Sequence, residues 1–318
     1  MPGGDDCSRV RVDCARREAD SITSYELSAT DGAVLPPWRP GDHIDVHLPS
    51  GAIRQYSLCG RPEDTGCYRI AVLENRHGRG GSVEVHRELR PGVEITVGSP
   101  RSNFALVEAN RYIFVAGGIG ITPLLPMIRH VAAAGSGWEL VYGARKREHA
   151  AFLGEVAAYG DRVRYVWQDR DGLMDLRRIA AQACDAEVFC CGPGTLMDAL
   201  ADEMTRAGRS DHLHIERFVA SRTPPPCPGS DGFEVELARS GLVLDVDADT
   251  SVLDAVRAAG IDVASSCEAG ICGTCETKVL SGTIDHRDEL LTDSERARHN
   301  VMMMCVSRAS CPRLVLDL

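Results

Sequence analysis

Four cysteines carry the most specific chemical signal in this 318-residue chain. Cys267, Cys272 and Cys275 stand in a C-x4-C-x2-C run, and Cys305 follows about thirty residues later. That spacing suits a [2Fe-2S] cluster, in which four thiolates hold two irons. Three ligands within nine residues point inward at one cluster only if the loop curls tightly, and Gly270 and Gly273 permit the dihedrals this needs. Small residues also let backbone N–H groups approach sulfur, where they tune the potential. A structural zinc site favours C-x2-C pairs and often histidine, which the x4 gap fits poorly. A disulfide framework belongs to small secreted domains, and the N-terminus has no charged-then-apolar leader pattern.

Two further constellations suit cofactor phosphates. In Arg54-Gln55-Tyr56-Ser57, strand alternation puts Arg54 and Tyr56 on one side. A guanidinium there pairs with a phosphate while the ring lies against a planar cofactor. Taken alone, a strand tyrosine reads as half-buried packing. His77-Gly78-Arg79-Gly80-Gly81-Ser82 runs into a helical pattern over Val83 to Leu89. Gly80, Gly81 and Ser82 thus open a helix whose N–H groups and dipole attract an anion. An ordinary glycine-rich turn is the plainer reading of that run.

The elements that must position these residues change character along the chain. Residues 1–107 hold short alternating stretches separated by turn signals, such as Asp42 to Leu48, Tyr68 to Leu73 and Glu94 to Val97, and predict an antiparallel β-barrel. Residues 108–222 alternate strand and helix, which predicts an α/β parallel-sheet domain with its nucleotide beyond the carboxyl ends of the strands. Tyr112 to Ala116 is a buried strand there, followed by Gly117-Gly118-Ile119-Gly120-Ile121-Thr122-Pro123 and a helix over Leu124 to Ala134. A second strand-to-helix loop is Cys190-Cys191-Gly192-Pro193-Gly194. Residues 223–230 are proline-rich, a stiff linker. In 231–318, a hairpin of Phe233 to Ala238 and Leu242 to Val246 precedes a helix opened by Thr250 or Ser251 and stopped at Gly260. The cysteine loop follows.

Composition narrows the class. The net charge is −11, and from Asp231 onward sixteen acidic residues face eight basic ones. That acidity argues against nucleic acid and suggests a basic docking partner, with a merely soluble face as the plainer reading. No apolar run reaches membrane-spanning length, so the expectation is a cytoplasmic protein with no membrane partner. The other nine of the thirteen cysteines show no second ligand spacing and read mostly as small buried or half-buried thiols.

The R-x-Y-S element resembles the flavin motif of the ferredoxin-NADP reductase superfamily, which implies that Arg54 holds the flavin phosphate, Tyr56 packs on the ring system and Ser57 lies near the reactive nitrogen. Gly117, Gly118, Gly120, Thr122 and Pro123 resemble that superfamily's G-G-x-G-x-T-P loop for the pyrophosphate and nicotinamide of NAD(P)H. Cys191, Gly192 and Pro193 resemble its C-G-P loop, with Cys191 beside the hydride-donating carbon. Glu216 and Phe218 fall where relatives bring an acidic and an aromatic residue to the flavin and nicotinamide site, although each could equally belong to a terminal strand. The G-R-G-G-S form resembles the phthalate dioxygenase reductase branch, which implies FMN in preference to FAD and NADH in preference to NADPH. Arg145, Lys146 and Arg147 stand roughly where a 2′-phosphate would meet a basic residue, although a basic loop is more often solvated surface. The last segment resembles the β-grasp fold of plant-type ferredoxins, with Glu268 where many carry arginine, which predicts a more acidic cluster rim.

Flavin, pyridine nucleotide and iron–sulfur segments in this order resemble the phthalate dioxygenase reductase family over essentially the whole chain. The resemblance implies an NADH-dependent reductase that passes electrons through FMN and [2Fe-2S] to a separate Rieske-type oxygenase acting on an aromatic or small organic substrate. An alternative, a redox-regulated binding subunit without NAD(P)H turnover, leaves the two intact nucleotide loops without a purpose. A self-contained oxygenase would need a Rieske C-x-H pair or a facial triad of histidines with carboxylate, and neither pattern is present.

Overall fold

The computed structural model describes residues 7–219 and 232–318. The proline-rich stretch 223–230 lies outside the described residues. The chain divides into two compact units, Met1–Arg217 and Phe218–Leu318.

The first unit contains two sheets. Seven antiparallel strands, β1 (Cys7–Ala19), β2 (Ile22–Ala29), β3 (Asp42–His47), β4 (Ile53–Ser57), β5 (Tyr68–Leu73), β6 (Glu94–Gly98) and β7 (Arg101–Ser102), follow the order β4-β3-β6-β1-β2-β5, with β7 on β3. The ends of that path, β4 and β5, approach each other, so the sheet curls into the expected barrel. Alternation drives Val10, Val12, Leu27, Ile44, Val46 and Ile70 into its core. Helix α1 (Gly81–Glu88) starts from the glycine run.

The second sheet is parallel. Strands β8 (Arg111–Gly117), β9 (Gly137–Ala144), β10 (Val163–Trp167), β11 (Glu187–Cys191) and β12 (Leu213–Glu216) stand in the order β10-β9-β8-β11-β12. Helices α2 (Ile121–Ala133), α3 (Leu153–Ala157), α4 (Gln168–Asp171), α5 (Leu176–Gln182) and α6 (Gly194–Arg206) accompany it. The order reverses between β8 and β11, so a crevice opens beyond their carboxyl ends, and open α/β sheets bind ligands at that point. Helix α2 begins three residues earlier than its hydrophobic period predicts. A 3-10 turn over Gly118–Gly120 feeds directly into it.

The second unit is a mixed sheet, β14-β13-β19-β15-β17, in which only β13 and β19 run parallel. Its elements are β13 (Phe233–Leu237), β14 (Leu242–Val246), α7 (Val252–Ala258), β15 (Glu276–Ser281), β16 (Ile284–Asp285), α8 (Asp293–Arg296), β17 (Val301–Met303), β18 (Arg308–Ala309) and β19 (Arg313–Leu316). Ser251 caps α7 by accepting the Asp254 amide at 3.0 Å, a contact that contributes about 1 kcal/mol. Val252, Leu253 and Val256 bury the inner face of that helix. Met302, Met303 and Met304 have no exposed surface and belong to the core. Among the described residues, no helix is long and apolar enough to cross a membrane.

Candidate functional site

The loop from Cys267 to Cys275 joins α7 to β15 with little regular structure. Gly270 and Gly273 adopt φ +70° and +76°, and Glu268 is also left-handed at φ +48°. A Cβ on Gly270 would meet Val306 at 2.6 Å and the Asp288 backbone at 3.0 Å, so the turn is closed as well as left-handed. Three of the four cysteines are buried, and Cys305 is half-buried. Their sulfurs form one group: Cys267 touches Cys272 and Cys305, and Cys275 touches Cys305. Shared hydrogen bonds push Cys267 and Cys275 down and Cys272 and Cys305 up. Backbone amides of Ala269 and Thr274 already reach the sulfurs of Cys267 and Cys272, at 3.4 and 3.5 Å. Among the described residues, no three His, Cys, Asp or Glu side chains surround a single-ion position. A two-iron cluster takes a pair of thiolates at each iron, so this donor set fits it without such convergence.

Two features of this loop escape sequence reasoning. Asp288 is buried beneath it, accepts the amides of Leu290 and Leu291 and the Ser307 hydroxyl, and sits in a turn whose Glu289 amide donates to Gly270 at 2.9 Å. Glu268 does not leave a bare negative charge on the rim, because its carboxylate pairs with Arg257 at 2.9 Å.

In the first unit, Arg54 projects from β4 toward the start of α1. Its guanidinium donates to the Ile53 carbonyl at 2.8 Å and lies 3.5 Å from the Arg79 carbonyl. A Cβ on Gly81 would strike that side chain, so glycine leaves the guanidinium its place beside the helix N-terminus. Gly80, at φ +83°, is the cap of α1. Ser82 does not cap: its hydroxyl accepts the Asn75 amide at 2.9 Å and braces the preceding turn. Tyr56 packs on the barrel core, and burial raises the pKa of its phenol. A guanidinium and the first amides of a helix together form an anion cradle.

Around the switch point the two glycine loops press backbone to backbone. A Cβ on Gly120 would overlap the Cys191 carbonyl and come within 2.7 Å of the Gly192 amide, and one on Gly117 would meet Pro193 at 2.6 Å. Thr122 is buried and donates to the Ile119 carbonyl at 3.0 Å, and Pro123 lies in the first turn of α2, where its missing N–H costs nothing. Gly118 takes φ +56°, and the Tyr142 hydroxyl lies 3.2 Å from its carbonyl. Gly120→Ala is therefore expected to lower stability by roughly 1–3 kcal/mol or more, the range for overpacking. Denaturant unfolding checks this, and an unchanged midpoint would mean that the loops separate freely.

Cys191 and Glu216 end adjacent strands in matched register. Ser57, at the end of β4, donates to Glu216 at 3.2 Å. Burial, against that hydrogen bond, pushes the Glu216 carboxyl up to about 8, although the residue as a whole keeps some exposure. Burial, then the neighbouring Glu216 and Cys190, pushes the Cys191 thiol well up, so it is no thiolate nucleophile. The structure thus joins the Arg54–Ser57 strand to the Cys191–Pro193 turn through Ser57, Glu216 and Cys191. Phe218 is exposed, opens the second unit and is not one of that group. Lys146 stands in an exposed ion pair with Glu148 at 3.5 Å, beyond the end of β9.

A barrel, a parallel-sheet half and a cysteine-loop unit make this a modular iron–sulfur oxidoreductase. The 2Fe-2S iron-sulfur cluster binding domain family matches residues 235–310. The vanillate O-demethylase oxidoreductase of Pseudomonas sp. (strain HR199 / DSM 7063) is 43% identical over 97% of this chain and 99% of its own. Phthalate dioxygenase reductase, solved as a modular structure for electron transfer from pyridine nucleotides to [2Fe-2S], is 37% identical, with TM-score 0.73, over 99% of this chain and 98% of that one. An intact type IV self-sufficient cytochrome P450 monooxygenase matches 98% of this chain at 43% identity and TM-score 0.91, and this chain spans 41% of that longer protein. The chain belongs to the phthalate dioxygenase reductase family.

Proposed function

We propose that this chain is the NADH-dependent reductase component of a Rieske-type oxygenase system, passing electrons from NADH through FMN and [2Fe-2S] to a separate oxygenase. The observation that carries this reading is the hydrogen bond of Ser57 to Glu216 on the strand beside Cys191, next to the sheet's switch point, where a flavin strand and a nicotinamide loop would have to touch. The division 1–107, 108–222 and 231–318 then assigns one cofactor to each segment.

Bound flavin supplies exchange between a two-electron donor and a one-electron acceptor. The chain's own residues do the holding. Arg54 and the Gly80-Gly81-Ser82 turn bind the flavin phosphate, and Tyr56 lies on the ring. Gly117, Gly118, Gly120, Thr122 and Pro123 receive the pyrophosphate. Cys191, with Gly192 and Pro193 fixing its turn, orients the nicotinamide as an uncharged thiol, and Ser57 and Glu216 fill the wall between the two. Cys267, Cys272, Cys275 and Cys305 bind the cluster. Relatives named for vanillate demethylation and phthalate dioxygenation support an aromatic or small organic substrate for the partner.

Mixing the flavin-loaded protein with NADH should bleach the flavin absorbance rapidly, and no bleaching with NADH or NADPH would overturn the reading. A second acceptor, a cytochrome P450 haem, is favoured by the match to the self-sufficient monooxygenase. Reconstitution with each kind of oxygenase separates the two. Arg54→Ala is expected to weaken flavin binding roughly tenfold to a hundredfold, the worth of charge-assisted hydrogen bonds. Unchanged flavin content after gel filtration would count against the phosphate role.

A further inference from the structure

Four charged side chains that no motif announces form a circuit through the first unit. Glu18 on β1 accepts from Arg69 on β5 at 2.9 Å, and Arg69 also donates to Glu155 on α3 at 2.6 Å. The other oxygen of Glu155 accepts from Arg129 on α2 at 2.5 Å. Arg129 then turns back to the barrel and donates to the carbonyls of Cys59 at 2.9 Å and Gly60 at 2.5 Å. Both arginine side chains are only 17% exposed. The Arg69 guanidinium also lies 4.7 Å over the ring of Phe152, whose backbone is left-handed at φ +59°.

Exposed ion pairs contribute little, but this circuit is charge-balanced and, apart from Glu155 at 38% exposure, largely desolvated, with each guanidinium donating two or more hydrogen bonds. Burial acts to raise the Glu155 carboxyl, yet hydrogen bonds from Arg69 and Arg129 hold it below its ordinary value. Its place in the chain matters more. Cys59 is two residues beyond Ser57 on the flavin strand. Arg129 lies about 12 Å along α2 from the start of that helix, which the glycine loop feeds directly. The circuit therefore ties the backbone just after β4 to the helix that carries the Gly117–Pro123 loop.

We propose that Arg129 and Glu155 are positioning residues for hydride transfer, a clasp that fixes the gap between Tyr56 and Ser57 on one side and the nucleotide loop on the other. The proposal rests on the NADH-to-flavin reading above. The clasp exchanges no electron or proton. It acts through distance alone, and a misplacement of about 1 Å can cost about a hundredfold in rate.

The test uses the full-length protein loaded with flavin and cluster. Arg129→Gln and Glu155→Gln are expected to slow NADH-driven flavin reduction in rapid mixing by about tenfold or more. Flavin content and dithionite reduction of the cluster should stay unchanged, and Arg129→Lys should recover part of the rate. A rate within about twofold of wild type in both variants overturns the proposal. So does a rate loss matched by flavin loss, which would make the residues structural. If the wild-type flavin is bleached by neither NADH nor NADPH, the hydride reading fails and the clasp's role with it, an outcome visible before any variant is compared.

Discussion

Cys272→Ser is expected to abolish the cluster signal while leaving NADH-dependent flavin reduction intact. Cys272 is 3% exposed, touches Cys267 and accepts from the Thr274 amide, so it sits inside the donor group. A serine oxygen is a harder donor than thiolate and a poor ligand for this kind of cluster. The site that would reduce the flavin lies in the other compact unit. Electron paramagnetic resonance of the dithionite-reduced protein reads the cluster, and rapid mixing with NADH reads the flavin. Metal binding contributes to folding, so the variant's second unit should also unfold at lower denaturant. If flavin reduction fails together with the cluster, the two units do not work separably.

Glu216→Gln is expected to change how stability depends on pH. The folded carboxyl titrates at about 8 against an ordinary 4.5. Below 4.5, folded and unfolded chains both hold the proton. Between 4.5 and 8 the folded chain keeps a proton that the unfolded chain releases, so stability falls as pH rises through this window. Above 8 the loss is complete, roughly 3 to 5 kcal/mol at 1.36 kcal/mol per pKa unit. Glutamine carries no such charge. The variant should gain on wild type from pH 5 to 8 and hold a constant lead above, as read by urea unfolding of the full chain. Parallel profiles would show that the Glu216 carboxyl is not pushed above its ordinary range.

Local patterns in the sequence announced local structure. The C-x4-C-x2-C loop, the alternation behind β3 and β5, and the strand-glycine-helix rhythm around Gly117 all depend on residues close along the chain, and each appears where expected. The start of α2 is earlier than expected because Ile121, Thr122 and Pro123, which read as the end of the glycine loop, form its first turn. Gly120, just before it, has a φ of −62° that any residue could adopt, and is required as glycine only because a Cβ there would overlap the Cys191 carbonyl. The bond from Ser57 to Glu216 spans 159 residues, and the contact between Arg69 and Glu155 spans 86. Nothing in composition or spacing encodes such partners. Only the resemblance pointed to Glu216, and nothing pointed to Arg129, Glu155 or Asp288. Glu268 is the exposed charge the sequence suggests, but its pairing with Arg257, eleven residues earlier, is not legible there.

The backbone contact between Gly120 and Cys191 also constrains how this protein can diverge. The two turns come from distant parts of the chain, yet they share one wall with no side chain between them. A side chain added at Gly120 would have to be answered by a shift at Cys191 and Gly192, so the two turns are constrained together although seventy residues lie between them.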